Sequence, residues 1–297
     1  MAKSSYQTYR RRTRINRNWL ELPDDVTASI LCRLGAIEIL TRAQKVCMPW
    51  RKICKDRLMW RTIDMRNDGF LRDYDFDLDK MCRHGVDRSS GCLVDINVEH
   101  FGTDELLKYI TNSSTGIRRL RLVCCYGITD EGLIEVASKL PLLEHLEISF
   151  SFASAQSLEV IGRSCPLLKS LKLNKYAYRY PYDECDDDAL AIASTMHDLH
   201  HLQLCGNKLT KDGLQKILDC CPNLESLDLR KCFNINFGVV SKRRCSKRIK
   251  SLRLPDDSTD DYEFDRANRR ELYAQTHCDP DYGDFLLLGR SVFGRDW

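Results

Sequence analysis

Four residues that could bind a metal ion lie within a short stretch of the sequence. His197, His200, His201 and Cys205 supply imidazole and thiol groups, and alternation along a strand would put His201 and Cys205 on one face. Such groups can bind zinc, but their spacing matches no structural zinc site. We therefore expect a solvent-exposed group of histidines and no metal.

Two pairs of adjacent cysteines, Cys124-Cys125 and Cys220-Cys221, could supply a nucleophilic thiolate. Both pairs stand in apolar segments, which favours packing of the thiols as small hydrophobic groups. The serines lack a G-x-S-x-G context, and the sequence contains no G-x-x-x-x-G-K-[ST] phosphate-binding loop. We predict a protein that is not an enzyme and that uses no cofactor.

The cysteine usage indicates a reducing compartment. The chain of 297 residues has 15 cysteines, an odd number, without any C-x-x-C spacing. It has no apolar run long enough to span a membrane, and its first residues lack the apolar core of a secretory signal. We expect a location in the nucleus, the cytoplasm or both, away from membranes.

Charge is concentrated at the two ends of the chain. Residues 1–18 carry six basic residues and no acid, whereas residues 255–297 carry eleven acids and five arginines. The region between them has a net charge of only +3, which argues against nucleic-acid binding. The basic run Arg10–Arg14 is either a nuclear-import signal or a solvated arm.

A leucine-rich pattern recurs through the middle of the chain. The template L-x-x-L-x-L repeats with spacings of 24, 26, 25, 31, 25 and 25 residues, in the range of leucine-rich repeats. Its central positions are Ile96, Leu120, Leu146, Leu171, Leu202, Leu227 and Leu252. Helical periodicity follows the template, as in residues 210–221, so each repeat is predicted to be a strand followed by a helix.

Stacked strand–helix units share one core, because a single unit cannot bury its own apolar face. Alternation along each strand then turns every second side chain outward, onto the concave face of a solenoid. Seven strands about 4.8 Å apart span roughly 29 Å, enough for a peptide or one helix of a partner. The outward residues that we predict to bind a protein substrate are Arg119, Arg121, His145, Glu147, Lys172, Asn174, His201, Gln203, Asp228 and Arg230.

Residues 19–61 form a separate apolar segment with the spacing of three short helices. Pro23 and two aspartates open the first helix, which we expect Gly35 to end, and Pro49 fits the first turn of the third. About 43 residues are too few for a comfortable independent core. The segment is therefore predicted to be a docking module that needs a partner.

The same segment resembles an F-box. The family pattern appears as Leu22-Pro23-Asp24-Asp25-Val26, then Ile30-Leu31 and Leu34, and later as Val46-Cys47-Met48-Pro49-Trp50-Arg51. Gly35 stands where many F-boxes have proline, and Glu38 replaces a commoner aspartate. The whole chain resembles plant F-box/LRR-repeat proteins of the small Skp-interacting-partner group.

This resemblance implies a subunit that recognises substrates for an SCF-type ubiquitin ligase. A Skp-type adaptor would bind the F-box and connect it to cullin and RING subunits. The residues expected to contact the adaptor are Leu22, Pro23, Val26, Ile30, Leu31, Leu34, Ile39, Leu40, Val46, Cys47, Trp50 and Ile53. The alternative is a leucine-rich-repeat scaffold that binds a partner without ubiquitination.

The expected organisation is an α/β chain with five parts. They are a disordered basic arm (1–18), the F-box (19–61), a linker or cap (62–91), about seven leucine-rich repeats (92–254) and an acidic tail (255–297). An insertion with four tyrosines, within residues 175–188, is either a tolerated surface loop or a substrate contact. The tail is either disordered throughout or, as we expect, a mobile acidic linker with an apolar end, 285–288, that caps the last repeat or folds into the groove.

Overall fold

The computed structural model describes residues 21–67, 76–175, 184–236, 245 and 248–263. The predictions for the basic arm, the four tyrosines of the insertion and the apolar end of the tail lie outside the described residues. No helix of the described part is both long and apolar enough to cross a membrane.

The first part of the chain that the structure describes is a helical module. Its helices are α1 (Asp24–Leu31), α2 (Gly35–Thr41) and α3 (Met48–Ile53), with 3-10 turns at Ala43–Lys45 and Arg57–Trp60. Gly35 has a φ of +76°, a left-handed conformation that glycine adopts without strain. The prediction that Gly35 ends the first helix was wrong in detail: α1 stops at Leu31, and Gly35 begins α2.

Among the described residues, a parallel sheet of eight strands follows, in the order of the sequence. The strands are β1 (Thr62–Met65), β2 (Asp95–Glu99), β3 (Arg119–Val123), β4 (His145–Ser149), β5 (Ser170–Asn174), β6 (His201–Gln203), β7 (Ser226–Asp228) and β8 (Ser251–Arg253). The helices between them are α4 (Leu78–Ser89), α5 (Asp104–Ser113), α6 (Asp130–Ala137), α7 (Ala155–Ser164), α8 (Asp187–Thr195) and α9 (Lys211–Cys220). The predicted fold, a helical module before a strand–helix solenoid, is confirmed.

Strand β1 adds a unit that the repeat pattern did not predict. It pairs in register with β2, Ile63 opposite Ile96, and α4 follows it as the helix of the first repeat. Residues 62–91, expected to be a linker or cap, therefore contain one strand and one helix of the solenoid.

Trp60 joins the helical module to this first repeat. Its side chain is 1% exposed, and its indole N–H donates to the carbonyl of Cys54 at 2.9 Å. A Cβ at Gly85 of α4 would lie only 3.0 Å from the ring, so the glycine lets the helix approach. One continuous hydrophobic core extends from Leu31 to Ile249.

Neighbouring repeats are also connected by a half-buried carboxylate at the helix starts. The two oxygens of Asp104, in the first turn of α5, accept from the N–H and hydroxyl of Thr129 at 2.8 and 2.7 Å. Thr129 is the N-cap of α6 and accepts in turn from the N–H of Gly132. A Cβ at Gly132 would stand 1.8 Å from Asp104. Asp186, Thr210 and Gly213 repeat this arrangement.

We predict that Asp104→Ala lowers the free energy of unfolding by about 1–2 kcal/mol, because two charge-assisted hydrogen bonds between repeats are lost. Glu105→Ala, on the neighbouring exposed position of the same helix turn, is the matched control and should change stability little. Chemical denaturation followed by circular dichroism measures both. Equal stability of the two variants would show that the carboxylate does not stabilise the stacking.

Candidate functional site

The twelve residues predicted to contact an adaptor differ in how far they are buried in the protein itself. Four of them are buried in the protein's own core: Leu31, Ile39, Leu40 and Ile53. A role of these four residues in adaptor contact remains a prediction. Leu22, Cys47 and Trp50 are half-buried, and five are exposed: Pro23, Val26, Ile30, Leu34 and Val46. Ile39 and Leu40 are buried because α2 packs against β1 and α4.

The exposed residues of this group form an apolar face on the helical module. Val26 and Ile30 lie four residues apart on one side of α1, and Leu34 follows just after the helix ends. The three side chains are 41%, 36% and 43% exposed. Val46 flanks the start of α3 and is 62% exposed. Met48 and Leu58, which the sequence pattern did not single out, are exposed as well. Such a concentration of exposed apolar side chains is typical of a protein-binding surface.

The second candidate surface is the concave face, the face of the sheet turned away from the helices. Because adjacent strands pair without a shift, equivalent positions line up across all eight strands. The central row contains Asp64, Asn97, Arg121, Glu147, Lys172, Gln203, Asp228 and Arg253. It mixes both signs of charge, as predicted.

Arg121 and Glu147 stand at the centre of a polar network on this face. The guanidinium of Arg121 lies 2.9 Å from Asn97 Oδ1 and 3.2 Å from Glu147. Lys172 approaches the other oxygen of Glu147 at 3.3 Å. Burial raises the pKa of Glu99, even though Arg121 lies 3.5 Å away. Polar side chains therefore hold one another in place across adjacent strands.

Open space remains over the first strands of the concave face. A depression of about 250 Å³ is lined by residues of β2 to β5, among them Arg119, His145 and Lys172. Burial and the neighbouring Arg119 lower the pKa of His145, so its imidazole is neutral at physiological pH. The exposed cations of this region are Arg119 and Lys172, at 61% and 44% side-chain exposure.

Four of the ten predicted substrate-binding residues lie on the concave face but are buried: Glu147, Asn174, Asp228 and Arg230. Two causes contribute. Asn174 accepts from Gln203 and donates to Ser149, within the sheet network. Arg230 is covered by residues after the last strand. A substrate-binding role for the ten residues remains a prediction.

Residues 255–263, which we call the return segment, run back over the concave face after β8 and cover Arg230. Arg230 donates to the carbonyl of Ser258 at 3.1 Å and to Asp261 at 2.5 Å. Further along, Glu263 lies 2.9 Å from Arg121 on β3. The expected acidic linker therefore contacts the concave face over these residues, and its mobility remains a prediction.

Tyr262 fixes the return segment in an apolar socket. It is 6% exposed and forms a cluster, separate from the main core, with Val123, Cys124, Phe150 and Cys205. The guanidinium carbon of Arg230 lies 5.3 Å from the centre of its ring, within the range of a cation–π contact. Burial raises the pKa of the phenol well above its usual value, so it stays neutral.

Three of the four paired cysteines are buried, as their apolar surroundings favoured, and Cys220 is half-buried. Cys124 and Cys125 are buried, and burial raises the pKa of Cys125 to about 12, which removes the thiolate at neutral pH. Cys221 is buried and its pKa is raised to about 11. His201 is exposed, and no cluster of three or more metal-binding side chains exists among the residues that the structure describes.

Comparison with known families matches both parts of the chain. An F-box-like family model matches residues 19–66, and the model described as "FBD-associated F-box protein At5g56370, LRR repeats" matches residues 178–271. The F-box protein SKIP19 of Arabidopsis thaliana is 52% identical over 90% of this chain and 87% of its own length.

Two further Arabidopsis thaliana proteins are similarly related. Putative F-box/LRR-repeat protein 21 is 49% identical, over 84% of this chain and 85% of its own length. Putative F-box/LRR-repeat protein 23 is 54% identical over 82% of this chain, which corresponds to 55% of that longer protein.

We predict that Arg230→Ala lowers the free energy of unfolding by about 3 kcal/mol, since it leaves the buried carboxylate of Asp228 without its guanidinium partner. Arg253→Ala is the control: Arg253 also binds Asp261, but its side chain is 45% exposed, and exposed pairs contribute little. Urea denaturation compares the two variants. Similar losses would contradict a structural role for the buried pair.

Proposed function

The chain belongs to the F-box/LRR-repeat protein family, and we propose that it recognises substrates for an SCF-type ubiquitin ligase. Members of this family are typically non-catalytic subunits of such ligases. In this proposal, the helical module binds a Skp-type adaptor that connects the chain to cullin and RING subunits. The concave face holds a protein substrate.

The observation that carries the proposal is the apolar face of the F-box. Val26 and Ile30 on α1, and Leu34 just after it, are exposed, although the inner face of the same module is packed against its own solenoid. A folded domain that keeps this much apolar surface outside its core is suited to a permanent partner. The relative SKIP19 carries a name that refers to interaction with Skp1, which supports an adaptor of that type.

The proposed mechanism is positioning, without chemistry on this chain. A substrate bound to the concave face and an adaptor bound to the F-box are held by one continuous core. Ubiquitin transfer by the other subunits then becomes effectively intramolecular, which raises the local concentration of the reacting groups. The buried thiols described above are unsuited to a thioester step, because their raised pKa values keep them protonated.

The alternative function is an interaction scaffold that binds the adaptor and a partner without ubiquitination. Co-purification separates the two. In the SCF proposal, the full chain bound to its adaptor recovers cullin and RING subunits in equal amounts. A complex of chain and adaptor that excludes cullin would favour the scaffold.

We predict that Ile30→Asp weakens adaptor binding at least about tenfold, because the interface must then bury an unpaired carboxylate. Leu190→Asp provides the matched control, since Leu190 is a similarly exposed aliphatic residue on α8, distant in the chain from the F-box. Calorimetry with purified adaptor measures the affinity, and circular dichroism checks the fold. Equal binding of the two variants would place the docking face elsewhere.

We predict that the double variant Arg119→Ala/Lys172→Ala recovers several-fold less substrate, because both cations border the open depression of the concave face. The control is Arg163→Ala/Lys216→Ala, which removes two exposed cations from helices α7 and α9. Affinity capture with the cullin disabled, so that substrate accumulates, provides the measurement. Unchanged recovery of every captured protein would exclude this part of the face as a substrate site.

A further inference from the structure

The return segment, residues 255–263, binds the concave face as a separate ligand would. It crosses from β8 to β3, five strands away, a distance of about 24 Å at the usual strand spacing. Pro255 accepts from the N–H of Lys231 at 2.9 Å, and a turn between Thr259 and Tyr262 then brings the tyrosine ring onto the sheet. Side chains, and not strand pairing, make the later contacts.

These contacts combine one aromatic ring with carboxylates. Tyr262 fills the socket, while Asp261 binds Arg230 and Arg253, and Glu263 binds Arg121. The segment has five acidic residues and no basic one. The concave face therefore contains a binding site for an aromatic side chain that is flanked by carboxylates.

The structure of the site also indicates that the segment can leave it. The socket of Tyr262 is separate from the main core, so its opening does not expose the leucines of the repeats. The side chains of Asp261 and Glu263 are 55% and 52% exposed. Regions with few buried contacts open at a lower cost than the whole protein unfolds.

We propose that the return segment is a displaceable internal ligand of the concave face. The external partner is a protein segment with an aromatic residue between acidic residues, which takes the place of Tyr262, Asp261 and Glu263. This proposal builds on the substrate-binding role of the concave face proposed above. It identifies the chemistry of the bound segment and the event, release of residues 255–263, that makes room for it.

The open depression beside the socket is consistent with this exchange. It extends over β2 to β5, next to Arg121, and is bordered by the exposed cations Arg119 and Lys172. A partner longer than the return segment can fill the socket and also reach this region. Additional acidic side chains in such a partner would then outcompete the internal segment.

A labelled peptide with the sequence of residues 255–263 tests the proposal by fluorescence anisotropy on the full chain. Tyr262→Ala empties the socket, and we expect it to bind the peptide at least about tenfold more tightly than the wild type, because a tethered ligand competes at high effective concentration. Tyr262→Phe keeps the ring and should bind as weakly as the wild type. A peptide with alanine in place of tyrosine should bind none of the three proteins.

A second variant keeps the test decisive if Tyr262→Ala does not fold. Asp261→Asn/Glu263→Gln weakens the internal contacts through two exposed side chains, so it should also bind the peptide more tightly than the wild type. Absence of binding to both opened variants, or equal binding to wild type and variants, overturns the proposal.

Adaptor affinity, measured on the same preparations, separates this result from the proposed function. If the peptide test fails while adaptor binding is normal, only the proposal of an internal ligand is contradicted. If the chain does not bind the adaptor while the peptide test succeeds, only the proposed ligase role is contradicted.

Discussion

The structure depends on the stacking of similar strand–helix repeats, whose parallel strands pair without a shift in register. Each strand–helix unit leaves its apolar residues exposed unless a neighbour covers them. The ladder places Leu120, Leu146 and Leu171 directly next to each other, strand by strand. The same alignment necessarily lines up the outward residues, so Arg121 meets Glu147 and Glu147 meets Lys172. The polar network of the concave face is thus a consequence of how the leucines pack.

The sequence pattern predicts most of this architecture because its key residues recur. Leucines in L-x-x-L-x-L identify seven strands, and threonines such as Thr129 and Thr210 mark the helix starts. Strand β1 was not predicted because Trp60, Ile63 and Met65 fill the template in place of leucine. These residues also lie within the segment that the F-box-like family model matches. In α1, both faces are apolar, so periodicity alone could not distinguish buried Leu31 from exposed Ile30.

The return segment shows what local patterns do not encode. Its composition, five acids among nine residues, is typical of a solvated linker. Its placement depends on contacts such as that between Glu263 and Arg121, which are 142 positions apart in the chain. Tyr262 is surrounded by residues at or just after the ends of three different strands. Only the folded solenoid brings these residues together, so their shared role becomes visible in three dimensions alone.

Trp60 has a geometric consequence for the whole molecule. Its ring belongs at once to the F-box and to the first repeat, and its contacts with Cys54, Gly85 and Arg88 come from both. The direction in which the concave face points, relative to the F-box, is therefore a property of side-chain packing and not of linker length. A bound protein would be held at one fixed angle to the adaptor. Which of its lysines face the rest of the assembly would then be decided by its own orientation in the groove.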